Sequence, residues 1–303
     1  MPIDASVELA KHILQSVVNI HVTVPRDHPS TRILGNERMG TGVIVDPAGL
    51  ILTVNYVVMG GQSIHVSLNG GRRVKAEVVA QDFEVGLALL RVKRQGLPAA
   101  FMGAGGALER GDQVIVATSL GPQERRLCGG FVTYLGEFEA HWEYLLDRGI
   151  VSSADSPGYG GGGLFTLTGC LVGIVSLRLN ELARNSLAIP VECYRSHEQE
   201  FLRYGRVVSR PRRAWLGVYA HALEEGVVVA GVIPDGPGDR GGLREGDFIV
   251  SLNTTEVPTR RDLYMNLWRH EPGERLTIEV MRDSKLRRVE VTGGDRAEFF
   301  RQP

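Results

Sequence analysis

The chain has 303 residues, 43% of them hydrophobic and 23% charged, with a formal net charge of −1. That length and balance suit two globular domains with full cores. The near-zero charge gives no reason to expect nucleic acid or an anionic membrane as partner. No apolar run approaches the roughly 20 residues of a membrane-spanning helix.

The N-terminal stretch MPIDASVELAKHILQSVVNI lacks a charged region followed by an apolar core and a cleavage site, so it does not read as a secretory leader. Ile3, Val7, Ala10, Leu14 and Val17 fall on one stripe, which predicts an amphipathic helix. A cytoplasmic location is expected on this basis. Cys128, Cys170 and Cys193 are far apart and form neither a metal-binding spacing nor an even disulfide set. No metal and no other cofactor is expected. Residues 26–39, RDHPSTRILGNERM, form a long and mostly polar loop, suited equally to a partner contact or to disorder.

From Val17 to Ile189 the pattern is β. Strands are predicted at VNIHVTV, TGVIVD, LILTVN, SIHVSL, VKAEVV, LALLRV and QVIVAT, with turns at Pro47–Gly49, Asn69–Gly71 and Gly129-Gly130. Many short strands at this spacing indicate a barrel or sandwich. A helix is predicted over 191–205, VECYRSHEQEFLRYG. Residues 206–214, RVVSRPRRA, are basic, contain Pro211 and read as a linker. Beyond it, strands AWLGVYA and GVVVAGVIP precede GLREGDFIVSLN. A helix within PTRRDLYMNLWRHE and strands RLTIEVMR and LRRVEVT follow. The expected domains are thus 1–205, a linker 206–214, and 215–303.

Ser156–Phe165 reads SPGYGGGGLF. Gly158, Gly160 and Gly163 satisfy G-x-G-x-x-G, but a dinucleotide site needs a helix opening at the third glycine. Here LFTLTGCLVGIVSL follows, which predicts a hairpin turning at Thr168-Gly169. A phosphate-binding loop would need Lys and Ser or Thr where Leu164 and Phe165 stand.

Three stretches, residues 40–58, 82–92 and 156–177, resemble in order and spacing the three catalytic segments of Deg/HtrA-type serine proteases. Trp215-Leu216-Gly217-Val218 resembles the carboxylate-binding loop of their PDZ domains, and residues 242–249, GLREGDFI, a second PDZ motif. The resemblance implies a mainly β fold, with a chymotrypsin-like double antiparallel β-barrel over 15–190 and a PDZ domain over 215–292.

Such proteases use a serine nucleophile, a histidine base and an aspartate that orients the histidine. The resemblance places Tyr56 where the histidine would stand, Gly86 where the aspartate would stand and Gly160 where the serine would stand. It also implies a residual oxyanion loop with N–H groups at Gly158 and Gly160. Ser152, Ser153, Asp155, Ser156 and Glu84 are the polar alternatives near these segments; His21, His28, His65 and His141 lie outside them. The chain is therefore expected to be a catalytically inactive binding or structural subunit of a larger assembly. The alternative is a weakly active serine-type endopeptidase or quality-control protease using a non-standard site.

What the resemblance leaves in place is peptide binding. Backbone N–H groups at Leu216, Gly217 and Val218 would hold the C-terminal carboxylate of a peptide added as a strand. Leu216, Val218, Leu263 and Leu267 read equally as its apolar pocket or as core, and Trp215 as a residue that could close the groove. A protein or C-terminal peptide is the expected partner, within a homotrimer or a hetero-complex.

Overall fold

The computed structural model describes residues 3–103, 108–179 and 185–301. These form two compact units: residues up to 138 together with 146–208, and residues 139–145 together with 209–302.

In the first unit, α1 (Ile3–Ser16) runs into β1 (Val17–Thr23). The helix buries Ile13 and Ser16 and leaves Val7 exposed. Its inner face is therefore shifted from the predicted stripe, of which Ala10 and Leu14 are half-buried and Val17 begins β1 instead; the side chain of Ile3 lies outside the described residues. Next come α2 (Thr31–Leu34), β2 (Glu37–Asp46), β3 (Leu50–Val54), α3 (Asn55–Val58), β4 (Ser63–Ser67), β5 (Arg73–Asp82) and β6 (Leu87–Val92). The strands close a barrel in the order β1-β2-β3-β6-β5-β4, with β4 pairing back to β1. β3, LILTV, is buried at every position. The 26–39 stretch is not a featureless loop: it holds α2 and the start of β2, and buries His28, Ser30 and Arg38.

The second sheet of this unit comprises β7 (Phe101–Met102), β8 (Gln113–Ser119), β9 (Arg125–Ala140), β10 (Tyr144–Ser152), β11 (Gly163–Thr166), β12 (Cys170–Leu179) and β13 (Asn185–Pro190). Its order is β11-β8-β9-β10-β13-β12-β7, and β11 also pairs with β12. The hairpin at Gly169 forms, with φ +82° at that glycine. Gly129-Gly130, in contrast, is no turn. Both lie inside β9, opposite Ile115 and Val114. A Cβ on Gly130 would come within 2.6 Å of the Ala154 Cα, so glycine here admits a neighbouring backbone. The helix expected over 191–205 is split into α4 (Glu192–Arg195) and α5 (Glu198–Tyr204). His197, with φ −126° and ψ 16°, leaves the helical region between them.

The second unit contains β14 (Val218–Leu223), β15 (Gly226–Val232), α6 (Pro237–Gly241), β16 (Phe248–Leu252), β17 (Thr255–Glu256), α7 (Arg260–Leu267), β18 (Arg275–Arg282), β19 (Lys285–Thr292) and α8 (Arg296–Arg301). The sheet order is β14-β15-β16-β18-β19, with β17 on β16. The strand predicted from Ala214 begins only at Val218, because Gly217 turns the chain with φ +74°. Thr259 caps α7 by accepting the Asp262 N–H.

Two boundaries differ from the sequence expectation. The linker belongs to the second unit from Ser209 onward. Ala214 is buried and donates to the His270 carbonyl, and Arg212 pairs with Asp295 and Glu298. The second unit also takes in 139–145, the end of β9, the turn after it and the start of β10, so no single cut divides the sequence.

Candidate functional site

In the first unit, α3 follows directly from the buried strand β3. Arg38 holds the helix: Nη1 donates to the carbonyls of Tyr56 (3.0 Å) and Met59 (2.9 Å), Nε to Gly35 and Nη2 to the Ser30 hydroxyl. Burial lowers the Arg38 pKa to about 10. Lysine lacks the planar fork that reaches these acceptors together. Arg38→Lys is expected to cost about 1–2 kcal/mol, read from the thermal midpoint of the first unit by calorimetry.

Tyr56 lies one residue into this helix. Its hydroxyl donates to the Ser176 carbonyl at 2.7 Å. Burial raises its pKa to about 12, so at neutral pH it is a protonated donor and not a base. The Gly86 carbonyl accepts the Asn55 N–H at 2.8 Å, which brings Gly86 beside the residue preceding Tyr56. Gly86 itself has φ +83°. The Gly160 carbonyl accepts the Thr41 N–H, and Thr41 Oγ1 donates to the Tyr159 carbonyl.

Gly160 and Tyr56 interlock. A Cβ on Gly160 would collide with the Tyr56 hydroxyl oxygen, and would lie 3.0 Å from its Cζ and 3.2 Å from the Ser176 carbonyl. The tyrosine hydroxyl fills the space a side chain at 160 would use. Gly158 is equally enclosed, since a Cβ there would come 2.5 Å from the Ser119 carbonyl and 2.6 Å from Thr118 Oγ1. That Thr118 hydroxyl is buried and has no hydrogen-bond partner among the described residues. No sequence signal singles out Thr41, Thr118 or Arg38, because their roles depend on segments distant in the chain.

Several of the other polar candidates are paired with neighbours. Ser152 Oγ lies 3.2 Å from Ser186 Oγ, Ser153 Oγ accepts the Phe131 N–H, and Asp155 pairs with Arg178 at 3.0 Å. Ser156 is buried. Glu84 donates its N–H to the Asp82 carboxylate. His21 lies 3.1 Å from the Glu37 carboxylate, His28 Nδ1 meets the Ser30 hydroxyl and His65 Nδ1 the Ser63 hydroxyl. His141 belongs to the second unit.

The second unit contains a formed anion site. The consecutive N–H groups of Leu216, Gly217 and Val218 donate to one carboxylate, that of Glu143, at 3.0, 2.7 and 3.0 Å. Burial pushes the Glu143 carboxyl above its ordinary value, while Arg296 and the three backbone donors pull it back. Leu216, Val218, Leu263 and Leu267 are all members of the core, fully enclosed or nearly so. Trp215 packs on Phe299 and Phe300. Glu143 and Arg296 carry no local sequence signal for this role.

A trypsin-like peptidase domain family matches residues 40–174, and a PDZ domain family matches residues 214–292. A probable periplasmic serine endoprotease, DegP-like, from Ectopseudomonas mendocina is 31% identical over 89% of this chain and 59% of its own length. Its counterpart from Halomonas elongata is 29% identical over 95% of this chain and 63% of its own length. The chain thus spans about six-tenths of the curated relatives it matches. Among solved structures, the HtrA-type protease AlgW with a decapeptide has a TM-score of 0.58 and 26% identity, covering 96% of this chain and 98% of that one. The serine endoprotease from Yersinia pestis has a TM-score of 0.56 at 23% identity over 96% of this chain and 97% of that one, a likeness of fold.

Two expectations are corrected by these findings. A catalytically inactive binding or structural subunit does not stand against relatives named as serine endoproteases and structural neighbours named as proteases. A cytoplasmic location does not stand against relatives named as periplasmic. Among the described residues no helix is long and apolar enough to cross a membrane.

Proposed function

Because this chain belongs to the DegP/HtrA family, with a trypsin-like peptidase domain and one PDZ domain, we propose that it is a periplasmic protein quality-control endopeptidase of low activity. It takes hold of protein chains by their C-terminal carboxylates and cleaves at a non-standard centre. The observation that carries this reading is the convergence of three consecutive N–H groups, at Leu216, Gly217 and Val218, on a single carboxylate. Such a triplet is how a strand-added peptide is held at its end. The relatives' names supply the reaction class.

The non-standard centre follows from chemistry at the positions the family resemblance assigns. Glycine at 160 has no nucleophile, and Tyr56 is a neutral donor committed to Ser176. Serine-type chemistry therefore has to come from another hydroxyl. Ser152, Ser153 and Ser156, with Asp155, are the nearest group along the chain.

The test uses the purified full chain with unfolded casein and a fluorophosphonate probe, and maps the labelled residue by mass spectrometry. Slow cleavage is expected, unchanged in Tyr56→Phe, with the label on a serine of 152–156. Replacing the mapped serine by alanine should abolish both signals, which excludes a contaminating protease. No cleavage above buffer together with no label overturns the catalytic part of the reading.

A further inference from the structure

We propose that residues 139–145 are a built-in ligand of the second unit, with Glu143 standing in for the C-terminal carboxylate of a peptide, and that an external peptide binds by displacing this segment. The inference rests on the carboxylate-site reading above and adds that the site is self-occupied.

The segment is held along its length as a docked peptide would be. Glu143 fills the loop at Leu216–Val218, while Ala220 donates its N–H to the His141 carbonyl at 2.7 Å. Ala220 lies two residues after Val218 and His141 two residues before Glu143, which is the register of an antiparallel strand laid beside β14. The Tyr264 hydroxyl donates to the Ala140 carbonyl at 2.6 Å and accepts the Glu143 N–H at 3.1 Å. Farther along, Arg260 pairs with Glu139 at 2.9 Å. Arg296 donates to the carbonyls of Glu143 and Trp142.

Glu143 also adopts φ +55°, which a non-glycine residue avoids unless its surroundings impose it. This turn lets the chain continue into Tyr144 while the side chain supplies the carboxylate. A true peptide would end at that place. Glu143 is 2% exposed, so the loop is inaccessible while the segment is docked. A segment docked about nine-tenths of the time would weaken an external ligand about tenfold.

The experiment measures binding of a fluorescent decapeptide ending in valine with a free carboxylate, and of its C-terminally amidated form, to the full chain. Wild type, Glu143→Ala and Tyr264→Phe are compared. Glu143→Ala removes the carboxylate; Tyr264→Phe leaves the loop intact and removes only the hydroxyl that holds Ala140 and Glu143, so it serves if the first variant folds poorly. The free-carboxylate peptide is expected to bind Glu143→Ala up to about tenfold and Tyr264→Phe about threefold tighter than wild type, and the amidated peptide to bind none. Trp142, one residue from Glu143, should change its fluorescence when peptide displaces the segment from the wild-type chain. Equal, measurable binding by wild type and both variants overturns self-occupancy and leaves the carboxylate site standing. Binding by none of them, in chains with native denaturation profiles, overturns both.

Discussion

Gly160→Ala is expected to destabilise the first unit by about 2–3 kcal/mol, and to cost much less once Tyr56 is phenylalanine. The added methyl falls on the Tyr56 hydroxyl oxygen. Either the backbone shifts, an overpacking that costs about 1–3 kcal/mol, or Tyr56 swings away and strips the Ser176 carbonyl of its donor, at about 1–3 kcal/mol. Tyr56→Phe alone should cost about 1–2 kcal/mol through that same carbonyl. In the double variant the colliding atom is gone and only the approaches to Cζ and the Ser176 carbonyl, 3.0 and 3.2 Å, remain. The two changes should therefore fall short of additivity by about 1–2 kcal/mol. All three tryptophans, Trp142, Trp215 and Trp268, lie in the second unit and are blind to this change. Hydrogen exchange of β2, β3 and β11 is the proper readout. Costs that add within about 0.5 kcal/mol would show that Gly160 and Tyr56 are not interlocked.

Asp247→Ala is expected to remove about 3–5 kcal/mol from the second unit. Asp247 is fully buried and holds Arg282 through two bonds of 2.6 Å, to Nε and Nη2. It also accepts the Arg244 N–H at 2.8 Å, while Arg282 Nη2 reaches the Gly242 carbonyl at 2.8 Å. The pair thus closes the turn between α6 and β16, where Gly242 and Gly246 have φ +88° and +90°. Removing the acid strands a guanidinium that is largely out of water. Arg282→Met should cost as much or more, since it leaves a buried carboxylate with one backbone donor. The paired substitution Asp247→Ala with Arg282→Met should recover part of the loss, because neither charge is then left alone. Tryptophan fluorescence during urea unfolding reports this unit directly, and a loss under about 1 kcal/mol for Asp247→Ala would refute the account.

The local elements of this protein were legible because their causes are local. Alternation in VNIHVTV and SIHVSL, the unbroken apolar run LILTV, and Gly169 at a hairpin mark strands and a turn from neighbouring residues alone. The order of the motifs carried the two-domain architecture with them. Gly129-Gly130 misled because the same residue type that permits a turn also admits a close backbone, and Ala154, which approaches Gly130, is remote in sequence. The helix over 191–205 broke because its buried side chains, Tyr194 and Phe201, pack edge to face across the interruption at His197.

The sequence alone marked the glycine loop at Gly158–Gly163 and raised the expectation that the backbone at Leu216–Val218 holds a carboxylate. Only the tertiary structure decided what fills those places. Tyr56 and Gly160 are joined by side-chain volume, and Glu143 and Leu216–Val218 by three hydrogen bonds. Neither relation has a period or a spacing, since contact between chain-distant residues depends on where folding brings them and not on what stands beside them.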